Sequence, residues 1–155
     1  MNDEDYMRQC LARAQAAMSK GEVPVGALVV NPADGAVIAA AGNGPIARCD
    51  PSAHAEILAM RAAAERLGNY RLTGMSLYVT LEPCTMCAGA ISHARIGRLI
   101  YGASDPKGGA VENGVSFFEQ ASCHSKPDIT SGVLAQECSA LLKGFFKARR
   151  NAGRS

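Results

Sequence analysis

The sequence lacks the long apolar runs, the strong charge bias and the internal repeats that are typical of several protein classes. No apolar run among its 155 residues approaches the roughly 20 residues that a membrane-spanning helix needs. Its first residues are acidic and mixed, so they do not resemble a secretory signal. A net charge of +2 permits contact with nucleic acid without indicating it. We therefore expect one cytoplasmic domain over residues 1–155, with no membrane segment.

The sequence contains six cysteines, but their context argues against a disulfide framework. Such frameworks occur in short secreted chains with small cores. This chain is 48% apolar, which is enough for a sizeable core. In a reducing cytosol, paired cysteines are more often metal ligands or redox groups, and the C-x-x-C pair alone leaves both alternatives open.

Four stretches have apolar residues at helical spacing, and these alternate with five short strand-like stretches. The first two predicted helices run from the cap Asp3 or Asp5 to about Lys20, and from Ala53 to Leu67 between the cap Ser52 and the stop Gly68. A third runs from about Cys84 to His93. The last has an apolar stripe of Leu134, Cys138, Leu141 and Phe145, with Lys143, Lys147, Arg149 and Arg150 on or beyond the other face. The predicted strands cover residues 25–31, 36–41, 76–80, 98–102 and 129–133, and the first two form a hairpin. The alternation predicts an α/β sandwich.

Two short motifs, H-x-E and C-x-x-C, together contain a possible ligand set for one metal ion. Cys84 and Cys87 are three residues apart, so on a helix they share a face. With His54 they form a Cys₂His set, which is typical of zinc. Three ligands leave one position for water, whose pKa zinc lowers toward about 7. Glu56, two residues after His54, is close enough to accept that proton.

A fourth protein ligand would instead close the site and make it structural. The residues that could supply it are Cys10, Cys49, Cys123, Cys138, His93, His124 or a carboxylate. Cys10 and Cys138 lie near or on apolar helical faces, which indicates that they are core residues. His93 ends a helix, where it can contact the terminal carbonyl groups. The other three lie in predicted loops and remain alternatives.

The pattern H-A-E followed by P-C-T-M-C is the signature of zinc-dependent deaminases, and the chain resembles the bacterial tRNA-specific adenosine deaminases, the TadA family. The matching segments lie in order between Glu22 and Arg150: EVPVGALVV, GNGPIARCDPSAHAEI, NYRL, LYVTLEPCTMCAGAISHARIGR, YGASDPKGGA and LLKGFFKARR. The resemblance implies a cytidine deaminase-like fold, an α/β/α sandwich of three layers with a five-stranded mixed sheet. It also implies a homodimer with one Zn²⁺ per subunit, no organic cofactor, and conversion of adenosine to inosine at wobble position 34 of a tRNA anticodon stem-loop.

The resemblance also assigns roles to individual residues. It implies zinc binding by His54, Cys84 and Cys87, with Glu56 as the proton shuttle. Contacts with the substrate are implied for Asn43, for the backbone N–H groups of Ala55 and Cys84, and for Asp105, Lys107, Phe146, Arg149 and Arg150. The chain departs from the family at Gly44, where many members have arginine, and over residues 111–127, where a substrate-facing edge of the site is expected.

Two other functions would use the same motif. A deaminase of a free base or nucleoside, such as guanine or cytosine, would have the same zinc site but would need a lid that encloses a small ligand. The NGPIARCDP loop and the FFKARR ending favour RNA, although cations also suit any helix C-terminus. A zinc-stabilised RNA-binding module without activity would not need Glu56, so the presence of this residue favours an enzyme.

Overall fold

A computed structural model describes residues 1–152, and its centre is a mixed β-sheet. The strands are β1 (Gly26–Asn31), β2 (Ala36–Gly42), β3 (Ser76–Leu81), β4 (Arg98–Ala103) and β5 (Asp128–Thr130). Within the described residues they form one sheet of five strands in the order β2-β1-β3-β4-β5. β1 is antiparallel to β2 and β3, whereas β4 is parallel to β3 and β5. The predicted five-stranded mixed sheet is confirmed.

Helices cover both faces of this sheet. They are α1 (Asp3–Met18), α2 (Pro45–Arg48), α3 (Ala55–Leu67), α4 (Thr85–Ala94) and α5 (Ala135–Ala152), and a 3₁₀ turn lies at Phe117–Glu119. α1 and α5 pack on one face, around a cluster that includes Met7 and Tyr78. α3 and α4 pack on the other, around Leu77 and Ile91. The three-layer sandwich is therefore confirmed.

The prediction of one domain over residues 1–155 stays a prediction, and its last three residues lie outside the described part of the chain. Between residues 1 and 152, no helix combines the length and the apolar character that crossing a membrane would require.

The two helices nearest the predicted site begin directly after a predicted metal ligand. α3 begins two residues later than predicted, because the Ser52 hydroxyl donates to Asp50 at 2.7 Å instead of capping the helix. His54 is the N-cap residue of α3, and Cys84 is the N-cap residue of α4. Both have an extended backbone, so their side chains stand at the mouths of the helices. Gly68 ends α3 in the left-handed conformation, as predicted.

The C-terminal part differs most from the prediction. β5 is shorter than predicted, and Leu134 lies before α5 with a φ of 52°. The buried residues of α5 are Cys138 and Leu142, so Leu142 takes the place that the sequence pattern gave to Leu141. Neither α2 nor the 3₁₀ turn was predicted, because segments of three or four residues are too short to show a period.

The N-terminus of α1 is capped by Asn2, not by Asp3 or Asp5 as predicted. The Asn2 Oδ1 accepts a hydrogen bond from the Asp5 N–H at 2.9 Å, and the Asp5 carboxylate accepts one from the Asn2 N–H at 3.0 Å. This reciprocal pair is a capping box. Asp3 instead faces the sheet, where its carboxylate accepts hydrogen bonds from Arg98 at 2.9 and 2.6 Å and from the Tyr78 hydroxyl at 2.7 Å.

Asp3→Asn is expected to lower the free energy of unfolding by about 1–2 kcal/mol at pH 7, since it removes a partly exposed, hydrogen-bonded ion pair. The hydrogen bonds from Arg98 lower the pKa of Asp3, and burial opposes them only in part. The stabilisation is therefore complete above the unfolded-state pKa, near 4, and is lost as the pH falls through the folded-state pKa. Urea denaturation of both proteins between pH 7 and pH 3 measures this difference.

The stability difference should shrink below about pH 4, and a difference that stays constant down to pH 3 would contradict the role of Asp3. Glu4→Gln is the control, because it removes an exposed pair with Arg8 on the same helix. It should change the stability by less than about 0.5 kcal/mol at pH 7.

Candidate active site

Three metal-ligand side chains meet where α3 and α4 begin. The His54 Nδ1 lies 3.6 Å from the Cys84 Sγ and 3.5 Å from the Cys87 Sγ, and the three ligand atoms lie within 4.8 Å of one another. Tetrahedral zinc, with bonds of about 2.0 Å to nitrogen and 2.3 Å to sulfur, places these two atom types about 3.5 Å apart. Both the donor set and its spacing therefore fit zinc.

The residues that could have closed this site lie elsewhere in the described structure. Cys10 and Cys138 are buried between the sheet and the helices α1 and α5. The Cys123 thiol donates to a backbone carbonyl of its own loop. The exposed candidates are Cys49, His93 and His124. No fourth histidine, cysteine or carboxylate within residues 1–152 joins the group, which favours an open, catalytic arrangement.

The two thiols of this group shift each other's pKa values in opposite directions. A hydrogen bond from the Cys87 thiol lowers the pKa of Cys84 to about 4, and His54 acts in the same direction. The same hydrogen bond, together with burial, raises the pKa of Cys87. Because a metal ion binds thiolates, binding of a dication at this point would displace the proton of the Cys87 thiol.

Glu56 lies beside the three ligands, on the first turn of α3. Its side chain is 5% exposed, and burial raises the pKa of its carboxyl group above the usual value. It also lines the cavity into which His54 and Cys84 face. A carboxylate at this position can reach a water molecule at the metal group without being one of the ligands.

This cavity has a volume of about 1270 Å³ and extends from the metal group to α5. Sites for single small molecules measure about 300–1000 Å³, so the space exceeds what one base needs. Its exposed cationic and aromatic lining residues are Lys107, Lys143, Phe146, Arg149 and Arg150. Four cations and one aromatic ring there favour an extended anionic ligand with flat groups.

All predicted site residues except Ala55 and Cys87 line the cavity. Cys87 is fully buried. The Ala55 N–H donates to the Asn43 Oδ1 at 2.8 Å, so in this structure it orients Asn43. That bond leaves the Asn43 NH₂ group to donate to a ligand. The contact of Ala55 with a base stays a prediction, as do the roles of the other residues.

The sequence analysis missed two polar cavity residues on α5, Ser139 and Lys143. With Phe146 and Arg150 they fall at positions i, i+4, i+7 and i+11, which share one face of a helix. This spacing is visible in the sequence. The prediction instead placed Lys143 only on the face opposite the apolar stripe.

The sequence analysis also missed Glu82, a carboxylate at the end of β3 that lines the same cavity. It is 2% exposed, and its oxygens accept hydrogen bonds from the loop that follows β4. Burial raises the pKa of Glu82, but the hydrogen bonds from this loop outweigh burial and lower it overall. The only sequence signal is an acidic residue before Pro83, two positions after the predicted strand at residues 76–80.

Comparison with known proteins places the chain among deaminases. Residues 1–150 match the family model of the MafB19-like deaminases. A tRNA-specific adenosine deaminase of Agrobacterium fabrum is 54% identical over 145 residues, which cover 94% of each chain.

Two solved structures differ in how closely they match. One, from a study of A-to-I editing by tRNA:A34 deaminases at the wobble position of transfer RNA, has a TM-score of 0.87 at 54% identity. The match covers 89% of this chain and 99% of that one. A guanine deaminase of Bacillus subtilis has a TM-score of 0.65 at 31% identity, with 97% and 95% covered. The guanine deaminase is the more distant of the two.

Proposed function

Because the chain belongs to the tRNA-specific adenosine deaminases within the MafB19-like deaminase family, we propose that its site converts adenosine to inosine at wobble position 34 of a tRNA anticodon. One observation carries this proposal: a single cavity joins the His54, Cys84 and Cys87 group and Glu56 to a rim of cations on α5. The first part supplies deamination chemistry, and the second part suits an RNA backbone.

The reaction consumes one water molecule and releases ammonia. His54, Cys84 and Cys87 would hold zinc, which when bound would supply Lewis-acid activation of water. Glu56 accepts the proton of the attacking water and returns a proton to the departing amine. A C–O bond first forms at C6 of the base as the ring nitrogen N1 takes up a proton, and the C–N bond to the protonated amine then breaks, which gives inosine and ammonia. The Asn43 NH₂ group donates to an acceptor on the base edge.

The outer part of the cavity binds the anticodon loop. The bases of such a loop are already single-stranded, so a base enters the site without the cost of opening a duplex. Lys107, Lys143, Arg149 and Arg150 contact phosphates, which position the RNA without reading its sequence. The Phe146 ring is 42% exposed and offers a face on which a base can stack.

The double substitution Arg149→Ala and Arg150→Ala is expected to weaken tRNA binding about tenfold near 0.1 M salt and to reduce the salt slope of log K by about 1–2. Each phosphate contact that is lost reduces the number of counterions that binding releases from the RNA. Fluorescence anisotropy with a labelled anticodon stem-loop from 0.05 to 0.3 M salt measures both quantities.

The double substitution Arg8→Ala and Arg13→Ala is the matched control. It removes the same charge from exposed positions on α1, which do not line the cavity. Its salt slope should stay within about 0.5 of the wild-type value. If the Arg149 and Arg150 variant keeps the wild-type affinity and slope, these cations serve only the end of the helix.

A comparison of substrates, each assayed separately, distinguishes a tRNA deaminase from a free-base deaminase. Ammonia release should be rapid with an anticodon stem-loop that contains A34 and should be undetectable with free guanine, cytosine or adenosine at the same concentration. A stem-loop with G34 is the negative control. Turnover of free guanine that exceeds turnover of the stem-loop would favour the alternative function.

We also infer that the protein acts as a cytoplasmic homodimer, as the resemblance implies. Exposed apolar side chains outside the cavity, Ile46, Met86 and Val115, offer surface for a second copy. Sedimentation equilibrium at micromolar concentration should give twice the 16.2 kDa mass of the chain. A single species of the monomer mass would contradict this part of the proposal.

A further inference from the structure

Glu82 holds residues 104–113, a loop that we call the lip, through both of its carboxylate oxygens. The Oε1 accepts hydrogen bonds from the Asp105 N–H at 2.9 Å and from the Asn113 side-chain amide at 2.7 Å. The Oε2 accepts from the three successive N–H groups of residues 111–113 at 3.0, 3.0 and 3.1 Å. A carboxylate has about four acceptor positions, so the lip saturates this one.

The lip lies directly on the carboxylate and on the segment that precedes the metal ligands. A Cβ atom at Gly109 would collide with the Glu82 carboxylate, so only glycine allows this approach. The next residue, Ala110, donates its N–H to the Pro83 carbonyl at 2.9 Å. Because Pro83 is bonded to Cys84, the lip is attached to the same short segment that carries a metal ligand.

The lip also lines the cavity, through Ser104, Asp105, Lys107 and Gly108. The Asp105 Oδ1 accepts hydrogen bonds from the N–H groups of Lys107 and Gly108 at 3.2 and 3.0 Å. Asp105 is itself held through its N–H by Glu82. The position of the Lys107 backbone therefore depends on Glu82, because Glu82 holds Asp105 and Asp105 in turn holds Lys107.

We propose that Glu82 is a positioning residue, which fixes the lip beside the metal group and thereby sets the affinity of the site for its RNA substrate. This inference rests on the proposed function, since it concerns the same cavity. Glu82 takes no part in the chemical step, because its acceptor positions are already filled by the lip. It acts on the substrate only through Asp105 and Lys107.

Glu82→Gln tests this role, because it keeps the shape of the side chain but replaces one acceptor oxygen by an NH₂ donor. In either orientation of the amide, its NH₂ group faces at least two hydrogen-bond donors of the lip, so those hydrogen bonds are lost. We expect the KM for the anticodon stem-loop to rise about tenfold or more, whereas kcat changes less than about threefold. Zinc should remain at one ion per chain. Asn113→Ala, which removes one donor to Glu82, should raise KM by a smaller factor.

Glu65→Gln is the matched control for this experiment. It makes the same chemical change at an exposed residue of α3, outside the cavity. Its KM, kcat and zinc content should equal those of the wild type.

Trypsin cleavage after Lys107 provides a readout that does not depend on deamination. Lys107 is exposed on the lip, so its cleavage rate reports how firmly the lip is held. In the zinc-loaded protein, Glu82→Gln should raise this rate about tenfold, while cleavage after Lys20, an exposed site beyond α1, stays unchanged. A rise at both sites would show a general loss of stability and would overturn the proposal.

The outcomes separate this inference from the proposed function. If the wild type does not deaminate the stem-loop, the proposed function fails, whereas the trypsin comparison still tests the attachment of the lip. An unchanged KM in an active Glu82→Gln variant would overturn the positioning role, as would an unchanged cleavage rate after Lys107. Loss of zinc from this variant would also overturn it, since Glu82 would then support the metal segment rather than the lip.

Discussion

Glu56→Gln is expected to reduce kcat for the anticodon stem-loop by at least about 10³-fold, near the upper end of what general acid–base catalysis contributes. The amide has nearly the same shape as the carboxyl group, so it fits the buried position at the start of α3. It cannot accept a proton from water or return one to the leaving amine. Single-turnover measurement of inosine formation with excess enzyme would report the chemical step directly.

The same variant should retain one zinc ion per chain, the wild-type KM within about threefold, and the wild-type midpoint of urea denaturation. Glu65→Gln is the matched control, because Glu65 lies exposed on the same helix and does not line the cavity. A Glu56→Gln variant that turns over at more than about one tenth of the wild-type rate would show that another group moves the proton.

Cys87→Ser is expected to weaken zinc binding by more than about 100-fold, which exceeds the 10–100-fold that loss of a supporting hydrogen bond typically costs. Serine keeps the volume of the buried residue, but its hydroxyl is a poor ligand at neutral pH. A zinc concentration of about 100 times the dissociation constant stabilises the wild type by roughly 3 kcal/mol, and the variant should lose that stabilisation.

Atomic absorption after dialysis and urea denaturation with and without zinc would measure both effects. Cys123→Ser is the control, because Cys123 lies in a loop and bonds to a backbone carbonyl away from the metal group. It should keep one zinc ion and the zinc-dependent stabilisation. Stoichiometric zinc in the Cys87→Ser variant would show that the ligand set is wrong.

The order of the elements could be predicted from the sequence because each long element has a clear period. The hairpin of β1 and β2 followed from two apolar runs on either side of a turn, and the end of α3 followed from Gly68. Helix beginnings were predicted less well, since several polar side chains compete for each cap. Ser52 bonds to Asp50 rather than to α3, and Asn2 rather than Asp3 caps α1.

The inner part of the site could also be predicted, because its spacing is local. His54 and Glu56 flank the start of α3, and Cys84 and Cys87 span the first turn of α4, so each motif is contained within one helix mouth. The lip could not be predicted in this way. Glu82 accepts hydrogen bonds from groups between 22 and 31 residues farther along the chain, and neither hydrophobic periodicity nor a short motif predicts contacts at that separation.

The resemblance predicts that α5 contacts RNA, and the structure shows which residues of α5 line the cavity. The helix α5 packs on the rest of the protein through Cys138 and Leu142. The neighbouring face of the helix, which carries Ser139, Lys143 and Phe146, therefore lines the cavity. If α5 packed through Leu141, as the sequence pattern predicted, the helix would be rotated about its axis by one residue and other side chains would face the cavity. Small errors in the apolar stripe therefore become errors in the list of binding residues.

Sequencing of a total tRNA pool after incubation with the zinc-loaded protein tests the central claim most directly. Inosine is read as guanosine, so tRNA species with A34 should show a change from A to G at that position and at no other adenosine of the anticodon loop. The Glu56→Gln variant should leave the pool unchanged. Unaltered A34 after incubation with wild-type protein that carries one zinc ion per chain would contradict the account.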